Sequence, residues 1–142
     1  MHIQNYPIRE CDEQGCGYFG ASRGSRKHVG IDIECSINAP ILSPISGVVT
    51  KVGFPYSDED KKHFRYIEVT KDDYRFRFFY LSPVLKVGDD VDAGDLLGYS
   101  QDLTTTYKGI AQHCHFEVKD KEGNHIDPTP VYLALNEEIY GV

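Results

Sequence analysis

The sequence predicts an all-β fold, a single antiparallel β-sheet or β-sandwich with long loops and at most a short C-terminal helical turn. Short runs rich in Val, Ile, Phe and Tyr recur at regular spacing, and Gly and Pro separate them. The only segment compatible with a helical turn is 130–136, which Pro130 can open at its first position. A chain of 142 residues, 40% of them hydrophobic, has the size of one compact domain.

The first region in chain order is 1–27, which is rich in Gly, Ser and Arg and has neither strand nor helical periodicity. We expect it to be an N-terminal loop region packed on the domain that residues 28–142 form. Cys11 and Cys16 flank a turn-forming spacer, which favours a local disulfide; two free thiols of a cytosolic protein are the alternative. Cys35 and Cys114 have no sequence-local partner, so we expect small buried hydrophobic residues there.

The predicted strands follow from Val29 onward and share a content of β-branched and aromatic residues. They are 29–33, 47–52, 66–70, 76–81, 95–99 and 113–119. The charged segment 57–63 lacks aliphatic residues and is predicted to be a solvated loop. Glycines between the aliphatic residues of 84–98 are typical of the turns of a β-meander.

Charge and hydropathy exclude two classes of partner. The formal net charge of -7 argues against binding to nucleic acid or to an anionic membrane, because both need clustered Lys and Arg. No apolar run approaches the roughly 20 residues of a membrane-spanning helix, and the first residues lack the layout of a secretory signal. We therefore expect a mature chain with no nucleic acid partner and no membrane span.

The meander is also typical of biotin- and lipoyl-carrier domains. Those carriers present a modifiable lysine on a hairpin, commonly between methionines. The single methionine of this chain is Met1. This difference largely removes the carrier interpretation.

Two motifs carry chemistry. In an extended strand His28 and Asp32 face the same side, with Gly30 leaving room between them for an ion, and His113 and His115 likewise share a face. Either motif alone is more often a satisfied core or surface group. Together they offer imidazoles and a carboxylate, the ligands that suit zinc, and three protein ligands leave a fourth position open. The alternation directs Cys114 away from such an ion, which argues against a thiolate ligand.

With these motifs, the sequence from roughly Gly17 to Leu133 resembles the lysostaphin/LytM-type zinc endopeptidases, which cleave peptide cross-bridges of bacterial peptidoglycan. The resemblance implies that His28, Asp32 and His115 bind Zn²⁺ and that His113 is catalytic. The family usually has a second catalytic histidine where this chain has Tyr80. A phenol there can donate one hydrogen bond to an oxyanion but shuttles protons poorly. The resemblance therefore implies a zinc metalloendopeptidase with His113 and Tyr80 as catalytic residues.

A closer local resemblance, in 11–17, in 26–32 and in the pair Phe79–Tyr80, is to the leukocyte cell-derived chemotaxin proteins, a secreted vertebrate group regarded as not proteolytic. It implies an alternative function, a catalytically inactive zinc-binding interaction module. In those proteins the cysteine equivalent to Cys35 pairs with an N-terminal cysteine that has no counterpart here, so we expect Cys35 to be free. A single-domain wall hydrolase without a signal is also what a phage carries in its tail or releases as a lysin. We expect an extracellular or cell-wall-facing protein whose partner is a peptidoglycan peptide. If a phage delivers the protein, we expect it to be virion-associated, with other virion proteins as further partners.

For the remaining basic residues, the sequence favours a structural interpretation over a functional one. Arg23, Arg26 and Lys27 are predicted either to line the cleft and meet substrate carboxylates or to belong to a solvated loop, and the loop is favoured for any one of them. The histidines outside the two motifs are predicted to be surface residues without a role: His2, His63 and His125.

Overall fold

The computed structural model describes residues 6–12, 14–24 and 26–132. These ranges contain fourteen short strands, and all of their pairings are antiparallel. In chain order they are β1 Cys11–Asp12, β2 Gly15–Cys16, β3 Ser22–Arg23, β4 Arg26–Lys27, β5 Ile31–Glu34, β6 Pro40–Leu42, β7 Gly47–Gly53, β8 Tyr66–Lys71, β9 Tyr74–Phe79, β10 Leu81–Pro83, β11 Asp90–Val91, β12 Leu96–Ser100, β13 His113–Lys119 and β14 His125–Ile126. The all-β prediction is confirmed.

The main sheet has seven strands in the order β11-β7-β8-β9-β13-β14, with β5 also paired to β13. A second sheet has the order β10-β12-β6. One edge of β13 pairs with β9, and its other edge pairs first with β5 and then with β14. Because His115 lies opposite Asp32 in this register, the two predicted motifs become direct cross-strand neighbours.

The two sheets share one hydrophobic core. Leu81 and Leu97 of the smaller sheet belong to the same buried cluster as Phe78 and Phe116 of the main sheet. The rings of Phe78 and Phe116 are stacked with centroids 4.6 Å apart. Cys114 and Phe116 are fully buried on this core face, so His113 and His115 lie on the other face, as the alternation predicts.

The predicted strands agree with the structure to within two residues at each end, because alternating apolar residues mark the buried faces. The two-residue differences are at the start of β5, predicted at 29 and found at 31, and at both ends of β9, predicted as 76–81 and found as Tyr74–Phe79. Segment 57–63 contains no strand, as predicted. Glycines 88 and 94 have φ of 96° and 94°, which fits their predicted place in turns. Residues 129–132 are helical, and the rest of the predicted helical turn lies outside the described residues.

The N-terminal region is more regular than predicted. The prediction of a region without strands is wrong, because β1 pairs with β2 and β3 pairs with β4 as two short hairpins. Two-residue strands are too short to produce a periodic signal. The predicted disulfide between Cys11 and Cys16 is confirmed and closes the first hairpin, while Cys35 and Cys114 are free and buried. A bridge between Ile8 and Ile33 attaches this region to the main sheet.

One further observation concerns membranes. In the described part of the chain, no helix combines the length and the apolar character that crossing a bilayer requires.

Candidate metal centre and cleft

His28, Asp32 and His115 converge on one point beside β13. His115 Nδ1 lies 2.9 Å from Asp32 Oδ1, and His28 Nε2 lies 3.1 Å from His115 Nδ1 and 3.2 Å from Asp32 Oδ1. Three donor atoms from three residues thus form a nearly equilateral triangle. Among the described residues, this is the one group of His, Cys, Asp or Glu side chains whose geometry can hold a metal ion.

The size and chemistry of this triangle fit zinc. Bonds of about 2.0–2.1 Å in a tetrahedral site place the donor atoms about 3.3 Å apart. The edges of 2.9–3.2 Å differ from that value by only a few tenths of an ångström. Two imidazoles and one carboxylate are ligands that zinc accepts, and three ligands leave one position for water or substrate.

Each imidazole of the triangle is oriented by its second nitrogen. His28 Nδ1 lies 3.0 Å from the carbonyl oxygen of Tyr18, and His115 Nε2 lies 3.0 Å from Glu117 Oε1. The other oxygen of Glu117 is 3.0 Å from His125 Nε2. Such partners fix the tautomer and ring orientation of metal-binding histidines.

The charges within the group are strongly coupled. Burial by itself raises the pKa of Asp32, but hydrogen bonds with His115 and His28 outweigh it and hold the pKa well below its usual range. Burial lowers the pKa of His115, but hydrogen bonds with Asp32 and Glu117 raise it to about 9. A metal ion binding at neutral pH therefore displaces a proton from His115, because an imidazole ligand is neutral.

Gly30 matters for a different reason from the predicted one. A Cβ atom added there would lie 2.3 Å from the carbonyl oxygen of Phe116 and 2.9 Å from Cε1 of His115. The space beside Gly30 is thus filled by β13 rather than left for an ion. The missing side chain lets the segment that carries His28 approach the strand that carries His115.

His113 lies next to the triangle, with Nε2 3.5 Å from Asp32 Oδ2. Its Nδ1 is 2.8 Å from the carbonyl oxygen of Ala111, which only accepts hydrogen bonds, so the neutral ring carries its proton on Nδ1. Burial lowers the pKa of His113 below its ordinary value, although Asp32 partly opposes this. His113 therefore presents an unprotonated Nε2 at neutral pH.

Tyr80 also contacts His113, with ring centroids 5.8 Å apart in an edge-to-face arrangement. Its hydroxyl is hydrogen bonded to that of Tyr56 at 2.8 Å. Tyr80 has φ of 69°, which is a strained backbone conformation for a bulky residue. Such backbone strain is typical of sites where the position of the side chain matters for function. Burial, with Tyr56 nearby, raises the pKa of Tyr80 well above its usual value, so its phenol stays protonated.

These residues line a cleft of about 720 Å³, which also includes Arg23, Arg26 and Lys27. All three basic residues thus line the cleft, and their contact with substrate carboxylates stays a prediction. Arg23 is partly fixed, because its Nη2 donates to the carbonyl oxygen of Cys16 at 2.6 Å.

Sequence reasoning missed four residues that contact the site. Glu117 continues the alternation of His113 and His115, so a period of two could have identified it. The prediction that His125 has no role is incomplete, because strand pairing brings it to Glu117. Tyr56 lies in a loop and Arg9 precedes β1, and no local pattern indicates that either reaches the cleft.

Comparisons with known proteins show the family of this chain. The model of peptidase family M23 matches residues 26–128. Leukocyte cell-derived chemotaxin-2 of Bos taurus is 31% identical over 126 residues, which are 89% of this chain and 79% of that protein.

Solved structures agree as well. The antimicrobial peptidase lysostaphin from Staphylococcus simulans matches with a TM-score of 0.70 and 26% identity over 94% of this chain and 52% of that one. LytU matches with a TM-score of 0.66 and 28% identity over 82% of each chain. The chain thus spans about half the length of lysostaphin. By the family match and these shared features, the chain belongs to peptidase family M23.

Proposed function

We propose that this protein is a zinc-dependent metalloendopeptidase that hydrolyses peptide cross-bridges of bacterial peptidoglycan. One observation carries the proposal: a triangle of donor atoms with edges of 2.9–3.2 Å lies beside an unprotonated histidine nitrogen in one cleft. His28, Asp32 and His115 are the proposed metal ligands. Zinc bound there would polarise the scissile carbonyl and activate water at neutral pH.

His113 is the proposed general base and acid. Its Nδ1–H donates to Ala111, which fixes the ring and leaves Nε2 free to accept a proton from the attacking water. The protonated ring, stabilised by the Asp32 carboxylate 3.5 Å away, then donates that proton to the leaving amine. Its lowered pKa keeps the ring neutral and able to accept a proton at neutral pH, and it makes the protonated ring a stronger acid for the second step.

Tyr80 is the proposed hydrogen-bond donor to the oxyanion that develops on the scissile carbonyl. Tyr56 supports it through the hydroxyl contact of 2.8 Å, so one phenol can donate to its neighbour while the other donates to substrate. A phenol with so high a pKa donates a hydrogen bond without losing its proton. Tyr80 thus supplies only part of what a histidine would supply.

The proposed substrate class is supported by membership of a peptidase family and by similarity to lysostaphin, an antimicrobial peptidase. A peptidoglycan substrate requires an extracellular or cell-wall-facing protein, and we include that location in the proposal. Delivery by a phage particle, with virion proteins as partners, stays a prediction.

A second candidate function is a zinc-stabilised interaction module without catalysis. The observation that favours it is Tyr80, whose phenol cannot shuttle protons at neutral pH, together with the 31% identity to leukocyte cell-derived chemotaxin-2. This candidate requires zinc at the same three ligands. It differs from the peptidase only in the absence of bond cleavage.

Digestion of purified sacculi separates the two candidates. Zinc-loaded wild-type protein is incubated with sacculi, and new amino groups are measured beside those released by a His113→Ala variant. A His63→Ala variant, which changes an exposed loop histidine, is the matched control. The peptidase predicts release that is lost only in His113→Ala. Stoichiometric zinc with no release from any of these proteins contradicts the peptidase and favours the module.

A further inference from the structure

Arg9 is a buried arginine whose guanidinium faces the carboxylate oxygen of Asp32 that lies outside the donor triangle. Its Nε donates to Asp32 Oδ2 at 3.1 Å, and its Nη2 lies 3.0 Å from the same oxygen. The other oxygen, Oδ1, faces His28 and His115. The two oxygens of one carboxylate thus have separate partners.

The disulfide-closed hairpin β1–β2 holds this guanidinium in place. Arg9 Nη1 lies 2.7 Å from Asp12 Oδ2 and donates to the carbonyl oxygen of Gly15 at 3.0 Å. The disulfide between Cys11 and Cys16 closes the hairpin around these acceptors. Gly17, which follows Cys16, packs so closely against Arg9 that an added Cβ would lie 2.6 Å from Arg9 Cβ.

The backbone joins the same two residues. Arg9 N donates to the carbonyl oxygen of Asp32 at 2.7 Å, and Asp32 N donates to that of Gly17 at 2.8 Å. The hairpin also reaches His113, because Asp12 Oδ2 accepts from Ala111 N and Ala111 O contacts His113 Nδ1, both at 2.8 Å. The hairpin β1–β2 therefore contacts residues that hold Asp32, a proposed metal ligand, and His113, the proposed base.

We propose that Arg9, held by the Cys11–Cys16 hairpin, is a positioning residue that restricts Asp32 to one metal-binding oxygen. The inference rests on the proposed zinc site. A carboxylate has two acceptor oxygens and can bind a cation through one or both. One charge-assisted hydrogen bond from Nε and an ion-pair contact from Nη2, both at Oδ2, hold that oxygen away from the ion. The fourth coordination position then stays open for water or substrate.

Cobalt substitution tests this proposal directly. Visible bands of Co²⁺ are intense in a four-coordinate site and weaker in a five-coordinate one, so they report how many oxygens bind. In wild-type protein we expect intense bands. In Arg9→Met we expect weaker bands and a zinc affinity about 10- to 100-fold lower, measured by competition with a chromophoric chelator.

Two further variants separate position from charge. Arg23→Met removes a cation 3.8 Å from Asp32 Oδ2, at a distance too long for a hydrogen bond, and is expected to keep the wild-type spectrum. Arg9→Lys keeps the charge but cannot contact Oδ2 through two nitrogens, so it is expected to restore zinc affinity only in part. A wild-type spectrum and zinc affinity in folded Arg9→Met would overturn the proposal, and so would equal changes in Arg23→Met.

If Arg9→Met does not fold, Asp12→Asn decides, because it leaves Arg9 in place and removes its ion pair with the hairpin. The proposal predicts lower zinc affinity and weaker cobalt bands in this variant, and wild-type values overturn it. The metal content of the wild-type protein distinguishes failure of the proposed function from failure of the role proposed for Arg9. No zinc in wild-type protein contradicts the proposed function, whereas one equivalent with unaltered variants contradicts only the role of Arg9.

Discussion

Replacing Gly30 with alanine should disrupt the approach of the two segments that carry the proposed metal ligands. The added Cβ would lie 2.3 Å from the carbonyl oxygen of Phe116, whereas such atoms essentially never lie closer than 3.0 Å, so the backbones must separate by at least 0.7 Å. The triangle edges are already within a few tenths of an ångström of zinc geometry. A shift of this size moves His28 relative to His115 by more than that margin.

The expected cost has two parts. Overpacking should lower the free energy of unfolding of the metal-free protein by about 1–3 kcal/mol. Weakening one ligand should lower zinc affinity at least about tenfold, which corresponds to about 1.4 kcal/mol. Denaturant unfolding in chelator measures the first quantity, and chelator competition measures the second.

Gly53→Ala is the matched control. The nearest atom to its added Cβ is Cε1 of the Tyr66 side chain at 3.3 Å, and a side chain can move. We expect its free energy of unfolding to stay within about 0.5 kcal/mol of wild type and its zinc affinity to be unchanged. If Gly30→Ala matched Gly53→Ala in both measurements, the packing argument for the site would be refuted.

Three other predictions concern metal, pH and catalysis. Removing zinc with a chelator should lower the melting temperature, since zinc at 100 times its Kd stabilises the folded state by about 2.7 kcal/mol, and an unchanged melting curve would contradict a structural zinc. Burial by itself raises the pKa of Glu68, but hydrogen bonds from Arg77 and Thr50 outweigh it, so the pKa in the folded protein is lowered. Ionised Glu68 therefore stabilises the fold above its ordinary pKa, and this stabilisation is lost as the pH falls through its pKa in the folded protein. Denaturant unfolding from pH 7 to pH 3 should show a shallower loss of stability in Glu68→Gln than in wild type, and equal slopes would remove Glu68 from the account. Tyr80→Phe should lower kcat for wall-peptide cleavage by about 10²- to 10³-fold with little change in KM, and an unchanged kcat would exclude its hydroxyl as an oxyanion donor.

The sequence predicts the parts of the site that depend on local alternation. His113, Cys114 and His115 occupy the predicted faces because β13 is a regular strand with a buried apolar side. The ligand motifs also fall on directly paired residues, Asp32 and His115. A period of two is enough to predict the faces, but it does not predict the pairing of Asp32 with His115, which lie 83 residues apart.

The residues that support the site depend on contacts distant in sequence. Arg9 is 23 residues from Asp32, and Tyr56 is 24 residues from Tyr80. Nothing in the local composition around Arg9 or Tyr56 distinguishes it from a surface residue. The predicted role of Gly30 is wrong for the same reason, since its neighbour Phe116 belongs to a strand far along the chain.

Anomalous scattering at the zinc absorption edge, from crystals of the zinc-loaded protein, tests the central claim most directly. We predict one peak at bonding distance from His28 Nε2, Asp32 Oδ1 and His115 Nδ1. We also predict no bond to Asp32 Oδ2. A peak held by other residues, or no peak in fully zinc-loaded protein, would contradict the account.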